Sequence, residues 1–395
     1  MNDRLLTWFP LVQRPRPPAL PLTARIRQLT DLAAQPATGD IHQQATRAAE
    51  ICNKAALIAS DCAVPDLARE LCWSQYAVFD QAGPLPAWAV KLALQPILNI
   101  ARQLIREGDG NSAYTMLDTL FRAARAQTST EITGRTVNLH TLTSSADAHK
   151  TVCSLVWAAL LADGTRALTR ADRWREAADA AAAHRGVGTR LLDGRQTLIL
   201  ALAQNGQHDE ATDLVEGSRP TEPWEEAVQH LLRTLCRDAA GAVPAAHLDG
   251  MLTAVLALQQ PAPGTAVFRT RVGVTALLLA MGHTDEQIPT LHTGILALAH
   301  ADGYAARDAL THPQLRRAMT AGQRHALTRL VRAVGLDAGT IAAPLRSDLM
   351  RAVTSAQDRL SRCLQHGAVT SPATLAPGGV VSGPPWRGAH GFEHR

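Results

Sequence analysis

The sequence predicts an all-α fold, specifically an α-α superhelix of stacked helix pairs, and three observations support this. Hydrophobic residues make up 46% of the 395 residues but aromatic residues only 4%. Alanine and leucine dominate, and these strong helix formers suit closely packed helices better than a β-sandwich. Apolar residues recur at helical spacing along most of the chain. Finally, one helix-pair pattern occurs twice between Ala158 and Ser218.

The repeated pattern has the spacing of a two-helix unit. Residues 174–180 align with residues 208–214, so that Ala177 corresponds to Ala211, 34 residues later. Ala113 fits the same position in an earlier copy, and a turn glycine precedes two of these alanines by five residues, at Gly108 and Gly206. A unit of this length cannot bury its own apolar face, so it must stack on its neighbours.

This pattern resembles tetratricopeptide-like (TPR-like) proteins, which are α-α superhelices that usually bind peptides or partner proteins. The resemblance covers the unit at residues 95–123 and the double unit at 158–218. Two positions depart from the pattern, because Arg195 replaces a large apolar residue and Ala181 a bulky one. The resemblance bears on the fold and says little about the ligand.

Local signals place the individual elements. Asp40 with Gln43 forms a capping-box-like start, Pro65 suits a first helical turn, and the Gly-Pro-Leu-Pro of residues 83–86 is a break. The polar stretch at 127–143 predicts a loop or a short extended piece. The predicted helices cover residues 22–35, 40–60, 65–80, 87–106, 112–126, 144–170, 174–184, 191–204, 209–216, 224–236, 245–258, 267–281, 286–299, 305–310, 313–334 and 344–364.

Breaks and composition divide the chain into four parts. Residues 1–21 form a Pro-rich arm whose apolar residues are expected to lie over the first helices, or alternatively to bind a partner. Residues 22–82 form an N-terminal helical unit and residues 83–366 the TPR-like repeat domain, with the last helix as a polar cap. Residues 367–395 are Pro/Gly-rich without periodicity and are predicted to be a disordered tail.

The charge and cysteine content exclude several classes of protein. The net charge is +4, and nearly all basic residues are arginines, which reflects either GC-rich bacterial codon usage or binding of phosphate groups. The six cysteines form no CxxC pair and have no histidines at zinc-ligand spacing, so neither a metal nor a cofactor is expected. No run of 18 apolar residues occurs, which favours a cytoplasmic protein without a membrane span.

The repeat register predicts a binding groove, because the first helix of each pair in TPR-like proteins lines the concave face. We expect this groove to be basic and to hold an acidic peptide or protein partner, since guanidinium groups bind carboxylates with two hydrogen bonds. Alternatively, these arginines are solvated surface residues. The predicted groove residues are Asn53, Lys54, Gln95, Arg102, Arg106, Arg166, Arg170, Gln196 and Gln204.

Enzyme motifs are weak. Residues 140–149 contain His140, Ser145, Asp147 and His149, but a helix cap within a loop explains them better than a catalytic triad. His292, His300 and His312 lack accompanying carboxylates, and the glycines at 186–188 lack a phosphate-binding signature. The alternative function is an enzyme on a helical scaffold that uses a phosphate-bearing substrate, for example an aminoacyl-tRNA-dependent transferase, with tRNA as its partner. The catalytic residues of such an enzyme are unknown.

Overall fold

The computed structural model describes residues 6–36, 38–239, 241, 243–259, 262, 264–283 and 286–369. These residues are predominantly helical, which confirms the prediction of an all-α protein. The last helix reaches Val369, three residues into the predicted tail, and the rest of that tail lies outside the described residues. The first five residues of the predicted arm are also outside them.

The first half of the chain forms helices and one hairpin. The helices are α1 (Leu22–Ala34), α2 (Ile41–Asp61), α3 (Pro65–Gln81), α4 (Ala87–Glu107), α5 (Gly110–Ala126), α6 (Ala146–Ala159), α7 (Thr165–Arg170) and α8 (Trp174–Ala183). A π-helical turn, Leu160–Gly164, joins α6 to α7. The stretch predicted as a loop or extended piece contains two antiparallel strands, β1 (Ser129–Ile132) and β2 (Arg135–Asn138).

The second half continues with helices of similar length. These are α9 (Asp193–Gln204), α10 (His208–Glu216), α11 (Pro223–Ala239), α12 (Ala245–Ala257), α13 (Ala266–Leu279), α14 (Gln287–Ala301), α15 (Gly303–Thr311), α16 (Pro313–Ala318), α17 (Ala321–Val334) and α18 (Ala343–Val369). The single helix predicted for 313–334 is wrong, because Thr320 and Gln323 form a complete capping box that starts α17.

The helices pack as successive pairs. In each pair the first helix contacts the second, and the first helices also contact one another along the chain. We call α2, α4, α6–α7, α9, α11, α13 and α15 the inner helices. This packing is consistent with a helical-repeat fold, and it places one face of each inner helix beside the same face of the next.

The two ends of the array meet. Helix α18 packs against α1, α2 and α3, burying Leu349, Val353 and Leu360. The backbone before it donates from Asp337 N–H to the carbonyl of Asp61 at 2.8 Å. From the sequence, the last helix is expected to cap the C-terminal end of the array with a polar outer face; its apolar side packs instead against the N-terminal helices. One core cluster also runs from α1 to the start of the π-helical turn, across the predicted boundary at residue 83.

A close approach between α5 and α7 requires glycine. A Cβ atom at Gly110 would lie 2.0 Å from the carbonyl oxygen of Ala167, which is part of a helix backbone and cannot move aside cheaply. We expect Gly110→Ala to lower the free energy of unfolding by about 1–3 kcal/mol, as measured by urea denaturation. The matched change Gly322→Ala, where the nearest atom is 3.9 Å away, should be neutral or slightly stabilising. Equal effects of the two changes would contradict this account of the packing.

Candidate functional site

The N-terminal arm crosses the face of the inner helices. Leu6, Phe9 and Leu11 are buried in the core cluster formed by the helices from α8 to α17. The expectation that the arm lies over the first helices of the chain is therefore wrong. After a turn at residues 6–9, its proline-rich backbone has no regular helix or strand, so its polar groups must find hydrogen-bond partners on the helices.

Gln196 on α9 provides such partners for the backbone of Leu11. The Leu11 N–H donates to Oε1 of Gln196 at 2.7 Å, and Nε2 of Gln196 donates to the Leu11 carbonyl at 2.8 Å. The same Nε2 donates to the carbonyl of Leu191 at 2.7 Å, which fixes the orientation of the amide. Gln196 is fully buried. One predicted groove residue therefore binds an extended backbone through both its donor and its acceptor.

An ion-pair cluster lies one helical turn away, at the start of α9. Arg14 of the arm donates to Oδ2 of Asp193 at 2.6 Å, while Arg166 on α7 lies 3.3 Å from Oδ1 of the same carboxylate. Burial lowers the pKa of Arg166, and the nearby Asp193 partly offsets that shift. Asp193 thus pairs with one arginine from the arm and one from the predicted groove.

Farther along, the arm reaches α13 and α15. The guanidinium of Arg16 lies 4.0 Å from the ring centroid of Tyr304, and Arg271 lies 5.0 Å from the ring of Trp8. The Ala19 N–H donates to Asp302, whose side chain also caps α15. Burial lowers the pKa of Arg16, with Arg271 contributing in the same direction. We call the residues that hold the arm, Asp193, Gln196, Arg271, Asp302 and Tyr304, the arm site.

Beside the arm site, Asp61 joins the two ends of the array. Its carboxylate accepts hydrogen bonds from Arg25 at 2.6 Å and from the Tyr304 hydroxyl at 2.5 Å, and Arg106 lies 3.5 Å away. The Asp61 side chain is 3% exposed. Burial raises the pKa of Tyr304, and Asp61 adds to the shift, so the phenol stays protonated and acts as a donor.

The other predicted groove residues are spread along the inner helices. Arg102 on α4 donates to Asp163 at 2.9 Å, and Asn53 on α2 accepts from the Asn99 amide at 3.0 Å. Lys54 pairs with Glu50 on the same helix at 2.5 Å. Gln95 is half-buried, whereas Arg170 and Gln204 are exposed.

Sequence reasoning missed the acidic partners of these arginines. Arg102, Arg106 and Arg166 each face an aspartate of another inner helix. The sequence signal for these partners is an aspartate within or directly after a predicted helix, at Asp61, Asp163 and Asp193.

The other candidates occupy structural positions. Ser145 caps α6 by accepting from the Ala148 N–H at 3.2 Å, as expected for a helix start. His149 lies 3.5 Å from the Cys153 sulfur, but burial raises the pKa of that thiol, which disfavours a reactive thiolate. His312 accepts from the Leu315 N–H and caps α16. Within the described ranges, no cluster of three His, Cys, Asp or Glu side chains has the arrangement of a metal site.

Comparisons with protein-family models, curated proteins and solved structures all find no match.

Membrane spanning has weak support. In the described chain, only Ala146–Arg170 is long and apolar enough to cross a bilayer, and half of its most apolar window is buried inside the protein. Any functional conclusion therefore depends on the arm site and on the surface chemistry.

Proposed function

We propose that this chain is a TPR-like helical-repeat binding protein whose inner helices form a groove for an extended segment of a peptide or protein partner. The observation that carries the proposal is the double hydrogen bond between the Gln196 amide and the backbone of Leu11. An amide that binds a backbone N–H and carbonyl recognises an extended peptide whatever its side chains are. The apolar pockets around it then select the sequence.

The charges around the arm site favour a partner segment that carries arginine. Arg166 is already paired with Asp193, and the remaining carboxylate oxygen of Asp193 accepts from an arginine of the arm. Asp302 and Asp308 lie near Arg16 and favour its charged form. The partner proposed here is therefore an extended segment with apolar residues followed by arginine, rather than the acidic peptide expected from the sequence.

The arm acts in this proposal as an intramolecular competitor. A tethered segment has an effective concentration on the order of millimolar, so a partner must bind the groove much more tightly than the arm does or engage after the arm has left. The helical pairs also contact one another directly, so we expect them to stay folded when the arm is displaced. Binding is thereby coupled to release of residues 6–21.

A peptide-binding measurement tests the proposal. A fluorescent peptide with the sequence of residues 6–20 is titrated with the wild-type chain and with Leu11→Asp, which places a charge at a position that is 2% exposed and so weakens docking of the chain's own arm. We expect the peptide to bind Leu11→Asp at least about tenfold more tightly than wild type, because the competitor is removed. Adding Gln196→Ala should abolish the gain.

A second variant covers the case in which Leu11→Asp fails to fold. Arg14→Asp repels Asp193 but changes a side chain that is 39% exposed, so the core is unaffected. Circular dichroism reports the fold, and a peptide carrying the same Leu11→Asp change serves as the non-binding control. Equal affinity for wild-type and Arg14→Asp chains, or binding that is insensitive to Gln196→Ala, would refute the groove.

A further inference from the structure

A second surface, formed by α15, α16 and α17, is strongly basic. Between Asp308 and Asp337 the sequence has no acidic residue, although it contains five arginines. This stretch covers α16 and α17. Over the whole chain, by contrast, the 39 basic and 35 acidic residues nearly balance.

The structure gathers these arginines around two neighbouring clefts. The larger cleft has a volume of about 690 Å³, with Leu310, Pro313 and Val331 as its apolar lining. Its arginines come from α15, α16 and α17, and a smaller cleft of about 380 Å³ continues along α17. We call the arginines of both clefts the basic cleft: Arg307, Arg316, Arg317, Arg324, Arg329 and Arg332.

Most of these guanidinium groups lack a protein counter-ion. Among the described residues, no carboxylate lies within 4.0 Å of Arg316, Arg317 or the arginines of α17, so these arginines form no ion pair. Arg324 is held by carbonyl oxygens, since it donates to Met319 O at 2.5 Å. An arginine in the last turn of α16 or α17 is stabilised by the helix dipole, by a few tenths of a kcal/mol. This small effect does not explain why six arginines converge.

The extent of the cleft indicates the class of ligand. Helix α17 is 14 residues long, about 21 Å at 1.5 Å per residue. One strand of helical nucleic acid presents a phosphate about every 3.4 Å, so about six phosphates match this length. A mononucleotide covers only a part of it. Membrane binding is disfavoured, because the exposed large apolar residues of the described chain, Leu57 and Met281, line neither cleft.

We infer that the basic cleft binds the phosphate backbone of a nucleic acid. Arginine suits this ligand because its planar guanidinium donates two parallel hydrogen bonds to phosphate oxygens. No aromatic residue lines either cleft, so the binding is through the backbone and independent of base sequence. Arg307 lies 5.8 Å from the ring centroid of Tyr304 in the arm site. The inference does not depend on the groove, because the arginines of α16 and α17 carry it and the variants below leave Arg307 unchanged.

Fluorescence anisotropy with the full chain tests the inference. The probes are a labelled duplex DNA of about 20 base pairs and an RNA hairpin, which distinguish the two sources of the same phosphate chemistry. We expect binding at 50 mM salt. A plot of the logarithm of the binding constant against the logarithm of the salt concentration should have a slope of about −5 for the duplex if all six arginines contact phosphates. The triple change Arg316→Ala, Arg317→Ala and Arg329→Ala should weaken binding at least about tenfold and reduce the slope by about 3.

A matched control separates a site from general charge. Arg175→Ala, Arg219→Ala and Arg362→Ala remove the same three charges from exposed arginines elsewhere, and we expect less than about a twofold to threefold loss of affinity. Equal losses for both triple variants, or no binding at 50 mM salt, would overturn the inference. Competition by a mononucleotide triphosphate at equal phosphate concentration, or binding only to anionic vesicles, would assign the cleft to another ligand and overturn it too.

Discussion

Replacing Asp61 with alanine is expected to lower the free energy of unfolding by about 3–5 kcal/mol. The carboxylate accepts hydrogen bonds from Arg25 and Tyr304, and all of its partners come from other segments of the chain. Without it, the Arg25 guanidinium, whose side chain is 12% exposed, keeps its charge in a buried position with no counter-ion. The contact that joins α2 to α15 is lost at the same time.

Urea denaturation followed by circular dichroism measures this effect. The control is Asp66→Ala, which removes an aspartate that also pairs with an arginine but whose side chain is 96% exposed. Exposed pairs contribute about 0–1 kcal/mol, so this variant should unfold almost like wild type. Similar midpoints for the two variants would show that Asp61 does not hold the two ends of the array together.

Much of the fold follows from local signals. The helices appear where apolar periodicity and breaks place them, and Asp40 accepts from the Gln43 N–H as its spacing predicts. Gly108, with φ of +89°, ends α4 in the left-handed conformation that favours glycine. These features depend on residues within one or two turns of each other, and sequence patterns of that range are specific.

The departure at Arg195 shows how a local pattern fails for a tertiary reason. This position requires a large apolar residue in the repeat pattern, yet Arg195 is buried and donates to Ser218 Oγ and to the carbonyl oxygens of Gly188 and Leu214. Its guanidinium thus provides hydrogen bonds for backbone carbonyl groups at the end of α10 and in the connector before α9. Burial lowers its pKa. A long-range hydrogen-bond network replaces the apolar contact, and no periodicity within the helix reveals that.

The positions of several candidate residues follow from the repeat register, whereas their role in a binding groove stays a prediction. The repeat register placed Arg102, Arg106, Arg166 and Gln196 on inner helices, where the structure has them. It did not reveal what they face, because the arm reaches Gln196 from 185 residues away in the sequence. Extended segments without regular hydrogen bonding take their partners from tertiary structure, so an arm rich in proline carries no signal for its docking position.

Replacing Gln196 with alanine is expected to release the arm. The substitution leaves the Leu11 N–H, the Leu11 carbonyl and the Leu191 carbonyl without the hydrogen bonds that Gln196 makes. Each unsatisfied buried group costs about 1–3 kcal/mol, so a docked arm would lose at least about 3 kcal/mol. Hydrogen exchange at the Leu11 amide should accelerate by about a hundredfold or more, since 1.4 kcal/mol corresponds to a factor of ten.

The matched control lies on the same helix. Gln204→Ala changes an exposed glutamine at the end of α9, so it has the same chemistry and nearly the same helix propensity but no contact with the arm. It should leave exchange at Leu11 unchanged. Equal exchange in both variants would mean that burial of Leu6, Phe9 and Leu11 holds the arm without the amide. In that case the groove would select apolar side chains alone, and the proposed recognition of a partner backbone through Gln196 would be wrong.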